Sequence, residues 1–371
     1  MLGAKLMQAL REMEAEARFS GVGGDAMAAQ GLKSLFPLAD IAVMGIVPVI
    51  KALPTLLARI REAAAAVVAA RPDALVIIDS PDFTHRVARR VRAALPNLPV
   101  VDYVSPSVWA WRPGRAKAMR RYVDKVLALL PFEPAEHVRL GGPPCVYVGH
   151  PLIERLGDLR PDAQEQGRRA SRPPLVVALP GSRLAIVARL MDDFGEALAR
   201  LQDRVGPLEI VLATVPHVEA AVRAKAAAWR VAPKVVLGEK EKYAAFRAAR
   251  AGLAASGTVT LELALAGVPM VGAYKVSRLE TPLKYLVNVE NILLPNLILG
   301  ARAIPELLQA NCAPAPLASA LEGVLRDGAA RGAQLSALRR LDALMQLPGG
   351  EAPSGRAARE VLATMGRWRP A

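Results

Sequence analysis

Three stretches of this sequence place reactive or anion-binding residues where a strand hands over to a helix. In the first, the apolar run Leu175 to Leu179 feeds Pro180-Gly181-Ser182-Arg183. Apolar residues then recur at Leu184, Val187, Met191, Phe194, Leu198 and Leu201, alternating steps of three and four that predict a helix. Gly181 and Ser182 therefore sit at a helix N-terminus, where free N–H groups and the helix dipole favour an anion. Arg183 adds a fork-shaped donor suited to phosphate. A plain Gly-Ser turn is the alternative.

The second stretch is the strand Gly252 to Ala255 followed by Ser256-Gly257-Thr258-Val259-Thr260-Leu261-Glu262. Gly257 permits close backbone approach. The hydroxyls of Ser256 and Thr258 can hold phosphate or cap the helix, and Glu262, one turn in, can accept hydrogen bonds from ribose hydroxyls. Its alternative is an ordinary solvent-facing glutamate. Two such sites in one domain favour a nucleotide diphosphate, although neither is a Walker loop or a GxGxxG. In the third stretch, Leu75 to Ile78 runs into Asp79-Ser80-Pro81-Asp82-Phe83. Ser80 suits an N-cap and Pro81 a first helical position. Asp79 then lies at the carboxyl end of a buried parallel strand, the edge where open α/β sheets bind ligands. It could instead only close a turn, and Asp82 only complement the helix dipole.

The elements that must position these residues alternate along the chain. A helix is expected over Leu2 to Glu16 and a strand over Arg18 to Val22, followed by an unassigned apolar segment, Leu35 to Leu57, interrupted by Gly45, Pro48 and Pro54. Further expected elements are a helix from Leu56 to Ala70, strands at Pro99 to Val104, Lys125 to Leu130 and Val146 to Val148, and a basic helix from Arg115 to Val123. Trp109 and Trp111 alternate as strand residues would and suit a core or pocket wall. After a polar, Arg-rich stretch the alternation restarts, with strands at Leu208 to Ala213, Val235 to Leu237 and Met270 to Tyr274. This pattern predicts two doubly wound α/β domains facing a cleft: residues 1–156, a linker at 157–174, a second domain at 175–345 and a helical segment at 346–371.

A chain of 371 residues suits two ordinary domains, and 53% hydrophobic content supports packed cores. The net charge of +14 favours an anionic partner: nucleic acid, anionic lipid or a phosphorylated substrate. Because the charge is spread through helices, the nucleic-acid case is weakened. Two distant cysteines, Cys145 and Cys312, argue against a disulfide scaffold or a zinc site. No uninterrupted apolar run reaches the roughly 18 residues of a membrane span, and no signal peptide is expected. The four histidines are scattered and read as structural or exposed, and Asn296 reads as a turn residue.

The motifs IDSPDF (78–83), YVSPSVWAWR (103–112), LLPFE (129–133), GHP (149–151), LPGSR (179–183), SGTVTLE (256–262), LPNLILG (294–300) and IPELLQ (304–309) resemble, in matching order, those of the lipid-A-disaccharide synthases. So do GVGGDAMAAQGL (21–32) and IAVMGIVPV (41–49). The resemblance implies a bacterial glycosyltransferase of the GT-B fold, using no cofactor and no metal. It implies that UDP-2,3-diacylglucosamine donates its sugar to the 6-hydroxyl of 2,3-diacylglucosamine 1-phosphate, with inversion. Asp79 then matches the family's proposed base, Asn296 a residue associated with activity, and Glu262 a ribose contact. Arg183 and the two helix N-termini would stabilise the leaving UDP. Acyl chains on both substrates would place Met44, Val47, Trp109, Arg112 and Arg115 on the acceptor and lipid-facing side. The net charge suits peripheral, cytoplasmic attachment to an anionic inner-leaflet phospholipid surface, with no nucleic-acid partner and room for a homodimer.

Two departures from the family accompany the match. Relatives begin with a strand and a Gly-Glu-x-Ser-Gly-Asp loop before the helix that here starts at Met1. The expectation is a start placed on the order of 15 residues too far downstream, leaving strand edges unpaired. Ile186 also stands where the family usually has Glu. The rival readings are another GT-B enzyme, such as a sugar-nucleotide epimerase, an inactive lipid or nucleotide binder, and a basic nucleic-acid binder.

Overall fold

Alternating β-branched runs and amphipathic helices build two parallel sheets, one in each of two units, Met1–Ile153 with Gln346–Ala371 and Glu154–Met345. The computed structural model describes residues 1–41, 46–275 and 290–366, without the side chains of 46–51. Met44 falls outside the described residues, and only the backbone of Val47 falls within them.

In the first unit, α1 (Leu2–Met13) buries Leu6, Met7 and Leu10 on one face. A short α2 (Asp25–Ala28) follows, then α3 (Ile46–Ala70), α4 (Pro81–Ala94), α5 (Gly114–Met119) and α6 (Glu133–Arg139). Between them run β1 (Leu75–Ile78), β2 (Val100–Tyr103), β3 (Lys125–Ala128) and β4 (Cys145–Tyr147), all parallel and in the order β1-β2-β3-β4. The strand expected over Arg18 to Val22 is reduced to one bridge, Gly21 to Ser34. Gly21, at φ +144°, offers no side chain to pack. The helix expected over Arg115 to Val123 stops at Met119 and continues as a turn.

In the second unit, α7 (Leu156–Leu159) and α8 (Ala163–Ala170) precede β5 (Leu175–Leu179). They are followed by α9 (Leu184–Val205), β6 (Glu209–Thr214), α10 (Glu219–Ala226), β7 (Lys234–Leu237), α11 (Glu239–Ala248), β8 (Ala251–Ala255), α12 (Thr258–Leu265), β9 (Met270–Tyr274), α13 (Leu294–Leu299), β10 (Glu306–Leu308), α14 (Pro314–Leu325) and α15 (Ala329–Met345). The parallel order β10-β9-β8-β5-β6-β7 reverses between β5 and β8, which makes that pair a topological switch point. The stretch 157–174, expected as a linker, instead holds α7 and α8. Asp162 and Glu165 close a capping box on α8, and the buried Arg169 donates to the carbonyls of Phe246, Arg247, Ala266 and Gly267. These are carbonyls at the C-terminal ends of α11 and α12, which need donors. An arginine that composition marks as solvated thus fastens two helices.

The last helix, α16 (Pro353–Thr364), returns to the first unit. Side chains alternate across a strand. Val101, Tyr103 and Leu127 accordingly meet Leu6, Leu10, Ala358 and Val361 on one face of the first sheet, while Ile77, Val100 and Val126 meet Ala88, Met119 and Tyr122 on the other. Within the described residues β1 pairs only with β2. Its outer edge, with Gly23, Met27, Ala63 and Val67, borders an apolar groove of about 750 Å³.

Candidate active site

At the switch point of the second unit the two small-residue loops emerge side by side, because Leu179 of β5 pairs with Ala254 of β8. Gly181 adopts φ +106°, and a Cβ there would lie 2.9 Å from Ile186 and 3.6 Å from Ala255. Conformation and space both call for glycine at this position. Ile186 packs beneath the loop against the domain core and gives it an apolar floor. Ser182 and Arg183 are exposed, and the Arg183 side chain makes no hydrogen bond or ion pair among the described residues. The loop is held from the turn after β6: His217 Nε2–H donates to the Ser182 carbonyl at 2.6 Å.

On the β8 side, Gly257 and Thr258 are exposed at the start of α12. The Ser256 hydroxyl donates to the Ile292 carbonyl at 3.2 Å, so it fastens the chain ahead of α13 and does not cap α12. Glu262 is largely covered and pairs with Lys242 of α11 at 2.8 Å. Lys242 also lies 4.6 Å from the centre of the Tyr243 ring. A ribose contact by Glu262 would therefore share this carboxylate with a lysine.

Asn296, expected among the catalytic residues, is fully buried. Its amide nitrogen donates to Ile304 O (2.8 Å) and Glu306 Oε1 (2.7 Å), and its oxygen accepts from the N–H groups of Ala303 and Ile304. Every strong hydrogen-bonding position is used inside the fold, so the residue is a clamp between α13 and β10 without a free group for a ligand.

In the first unit, Asp79 follows β1 directly, and its N–H still donates to Tyr103 O at 3.1 Å. Asp79 and Ser80 both adopt left-handed backbone, at φ +53° and +46°. Ser80 occupies the position before α4 but makes no capping bond; the Thr84 hydroxyl instead donates to the carbonyls of Asp79 and Ser80. Two successive non-glycine residues in this region are rare, and such strain concentrates at functional sites. The Asp79 side chain is exposed, with no hydrogen-bond or ionic partner among the described residues. Asp82 accepts from Arg115 at 3.0 Å.

Behind this elbow lies a buried polar group that the sequence did not reveal. His85 Nε2 stands 3.2 Å from Asp102 Oδ2, and His85 Nδ1 lies 3.1 Å from the Tyr122 hydroxyl. Burial pushes the Asp102 carboxyl above its ordinary range, His85 opposes the shift, and the charge of Asp79 adds to it. Trp109 and Trp111 lie in a turn after β2 and not in a strand. Trp109 is half-buried, with its indole N–H on Glu133, whereas Trp111 is exposed beneath the Arg112 guanidinium, 4.3 Å from its ring centre. His150 accepts from Leu152 N–H, and burial lowers its pKa to about 4.

His217, Lys242 and the His85–Asp102 pair were thus missed by reading the sequence. A lone histidine or lysine carries no local pattern, and only the fold brings these residues to their partners.

Two parallel α/β sheets, the second with its order reversed at a pair of glycine-bearing loops, define a protein of the GT-B fold. Known structures share that fold over almost the whole chain. S. aureus MnaA with UDP superposes with a TM-score of 0.61 at 12% identity, covering 98% of this chain and 93% of that one. Acinetobacter baumannii MurG gives 0.59 at 15% identity, covering 99% and 95%. The chain belongs to the lipid-A-disaccharide synthetase family, whose model matches residues 1–348. The lipid-A-disaccharide synthase of Nitrobacter hamburgensis is 57% identical over 366 residues, 98% of this chain and 92% of the relative. That of Bradyrhizobium diazoefficiens is 55% identical over 370 residues, 99% and 94%.

Proposed function

We propose that this chain transfers 2,3-diacylglucosamine from UDP to the 6-hydroxyl of 2,3-diacylglucosamine 1-phosphate, forming a β-1,6 disaccharide with inversion. The observation that carries the reading is the pairing of β5 with β8. It supports a common anion site made from the Gly181–Arg183 and Gly257–Thr258 loops, the arrangement a nucleotide diphosphate requires. In this reading Asp79 accepts the proton of the acceptor hydroxyl as its oxygen bonds to the anomeric carbon. The bond from that carbon to the diphosphate breaks with its electrons leaving on UDP. Arg183 and the open amides stabilise the charge that develops there. Glu262 exchanges its Lys242 partner for the ribose hydroxyls. Asn296 acts as a positioning residue for the segment around Ile292, and not as a catalytic one.

The acyl chains of both substrates suit an apolar surface on the first unit, to which Met44, Val47, Trp109, Arg112 and Arg115 were assigned. Among the described residues no helix is long and apolar enough to cross a membrane. The charge of +14 supports peripheral attachment to an anionic leaflet from the cytoplasmic side. The test is formation of radiolabelled disaccharide from the two acylated substrates, with vesicle co-sedimentation at low and high salt. Absence of product while UDP still binds would leave a nucleotide-binding protein and overturn the transfer reading.

A further inference from the structure

Family motifs YVSPSVWAWR and LLPFE lie 17 residues apart between Arg112 and Leu129, and the fold brings them into one buried contact. Glu133 and His137 stand one turn apart on the same face of α6. Ser105 and Trp109 have the same separation in the loop that follows β2. The four residues match in pairs. His137 Nε2 meets Ser105 Oγ at 2.9 Å, both side chains buried, and the Ser105 hydroxyl donates a hydrogen bond to Pro106 O. Glu133 accepts from Trp109 Nε1 through one oxygen (3.2 Å) and from Leu130 N–H through the other (3.0 Å). Phe132 packs edge-on against Trp109, with ring centres 5.1 Å apart.

The loop so held is strained at both ends. Val104 adopts φ +89°, an outlier for a β-branched residue, and Arg112 adopts φ +55°. Strain of this kind persists only where the surroundings over-determine the conformation. The loop also leaves β2 beside Asp79, since Ile78 pairs with Tyr103.

We infer that α6 clamps both halves of the 104–112 loop beside Asp79, with Glu133 and His137 as positioning residues for the transfer reaction. The inference rests on the glycosyl-transfer reading for its kinetic arm only. An ionised Glu133 offers both oxygens as acceptors, whereas a protonated one converts one of them into a donor and weakens the grip on Trp109. Burial raises this carboxyl to about 7, and the neighbouring Asp102 adds to the rise. The groups facing it are Asp102 with His85 from β2 and α4, Cys145 from β4, and His137 on its own helix. Burial lowers the His137 pKa, which favours the neutral ring, and raises the Cys145 thiol further into its protonated form. Glu133 is thus the group whose charge changes the clamp near neutrality.

The test incorporates 5-fluorotryptophan and follows the Trp109 resonance, assigned by W109F, from pH 5.5 to 8.5 in the full chain and in E133Q. The expected result is a titration centred near 7 in the parent and none in E133Q. On the kinetic side, kcat of the parent should rise through the same interval. In E133Q the step should vanish and kcat should fall on the order of 10-fold to 100-fold, the usual cost of a small misplacement, with KM for the sugar nucleotide unchanged. W109F should flatten the same profile without altering the carboxylate. A folded E133Q with an unshifted Trp109 resonance and full kcat would overturn the clamp. If the parent makes no disaccharide, the transfer reading falls by itself, and the fluorine titration decides the clamp alone.

Discussion

In the second unit the turn after β5 is carried by Gly181 at φ +106°, whereas in the first the turn after β1 is carried by Asp79 and Ser80 at φ +53° and +46°. Val104 and Arg112 repeat the first unit's pattern one strand along. Under the proposed function, the difference follows from what each loop would present. A phosphate is held by backbone N–H groups, so the apex residue there can dispense with a side chain. A proton acceptor must be a side chain, so glycine is excluded from the apex and each left-handed residue costs about 1–3 kcal/mol. The first unit offsets that cost with side-chain bonds: Thr84 to the elbow carbonyls, and Glu133 and His137 to the next loop.

Asp79→Asn is expected to show the largest effect. Asn tolerates left-handed backbone as Asp does, and the carboxylate has no partner among the described residues, so the fold should stand. Loss of the base should lower kcat about 10²–10⁴-fold with UDP affinity unchanged by calorimetry. A near-normal turnover would mean that the strain at this elbow serves something other than its carboxylate. Arg183→Ala is expected to lower kcat about 10²–10³-fold and to weaken UDP binding as well, because the diphosphate is bound before and after transfer. If the second unit works through backbone amides as strongly as proposed, Gly181→Ala should weaken UDP binding comparably. That variant should also lose stability in a thermal melt, since Ala at φ +106° is strained and would press on Ile186.

The third effect separates charge from geometry in the first unit. A Glu133 carboxyl that titrates at about 7 in the fold, against 4.5 when free, stays protonated longer in the native chain than in the unfolded one. Its stabilising contribution is therefore complete below about pH 4.5 and is lost as pH rises through 7, amounting to about 3 kcal/mol by pH 8. Glu133→Gln should remove this slope, so denaturant midpoints of the parent and the variant should converge at acid pH and diverge at alkaline pH. A parent slope that survives in the variant would assign it to another group, with Asp102 next in line.

These contrasts also explain what could be read without the structure. Strands β5 and β9 were expected at their observed residues, and the Gly181 and Gly257 loops were recognised as helix N-termini, because glycine, hydroxyl residues and apolar periodicity are local signals. The same reading missed β10, whose three residues are too short for a period to show. It missed α8 because Arg169 and its neighbours look solvated until the carbonyls they bind are in view. Asn296 was expected as a turn residue beside proline and instead lies within α13, and its clamp to Ile304 and Glu306 depends on a strand pairing. Glu133 and His137 were invisible for the same reason: a glutamate four residues before a histidine is common, and only the opposing Ser105 and Trp109 make it a clamp.

The smallest expected effect isolates the strain itself. Ser80 is exposed, makes no side-chain capping bond, and adopts φ +46°, so Ser80→Gly removes a left-handed penalty without removing a contact. Glycine also enlarges the conformational freedom of the unfolded chain, which opposes the gain. The net change in stability should lie within about 1 kcal/mol, on the stabilising side if the elbow is as strained as its dihedrals imply. The same change frees the residue next to Asp79, so turnover should fall a few-fold while UDP affinity in the second unit stays constant. Stability and activity would then move in opposite directions from one substitution. A loss of stability with unchanged turnover would instead show that Ser80 sits in this conformation without strain, and that the two units differ in chemistry alone.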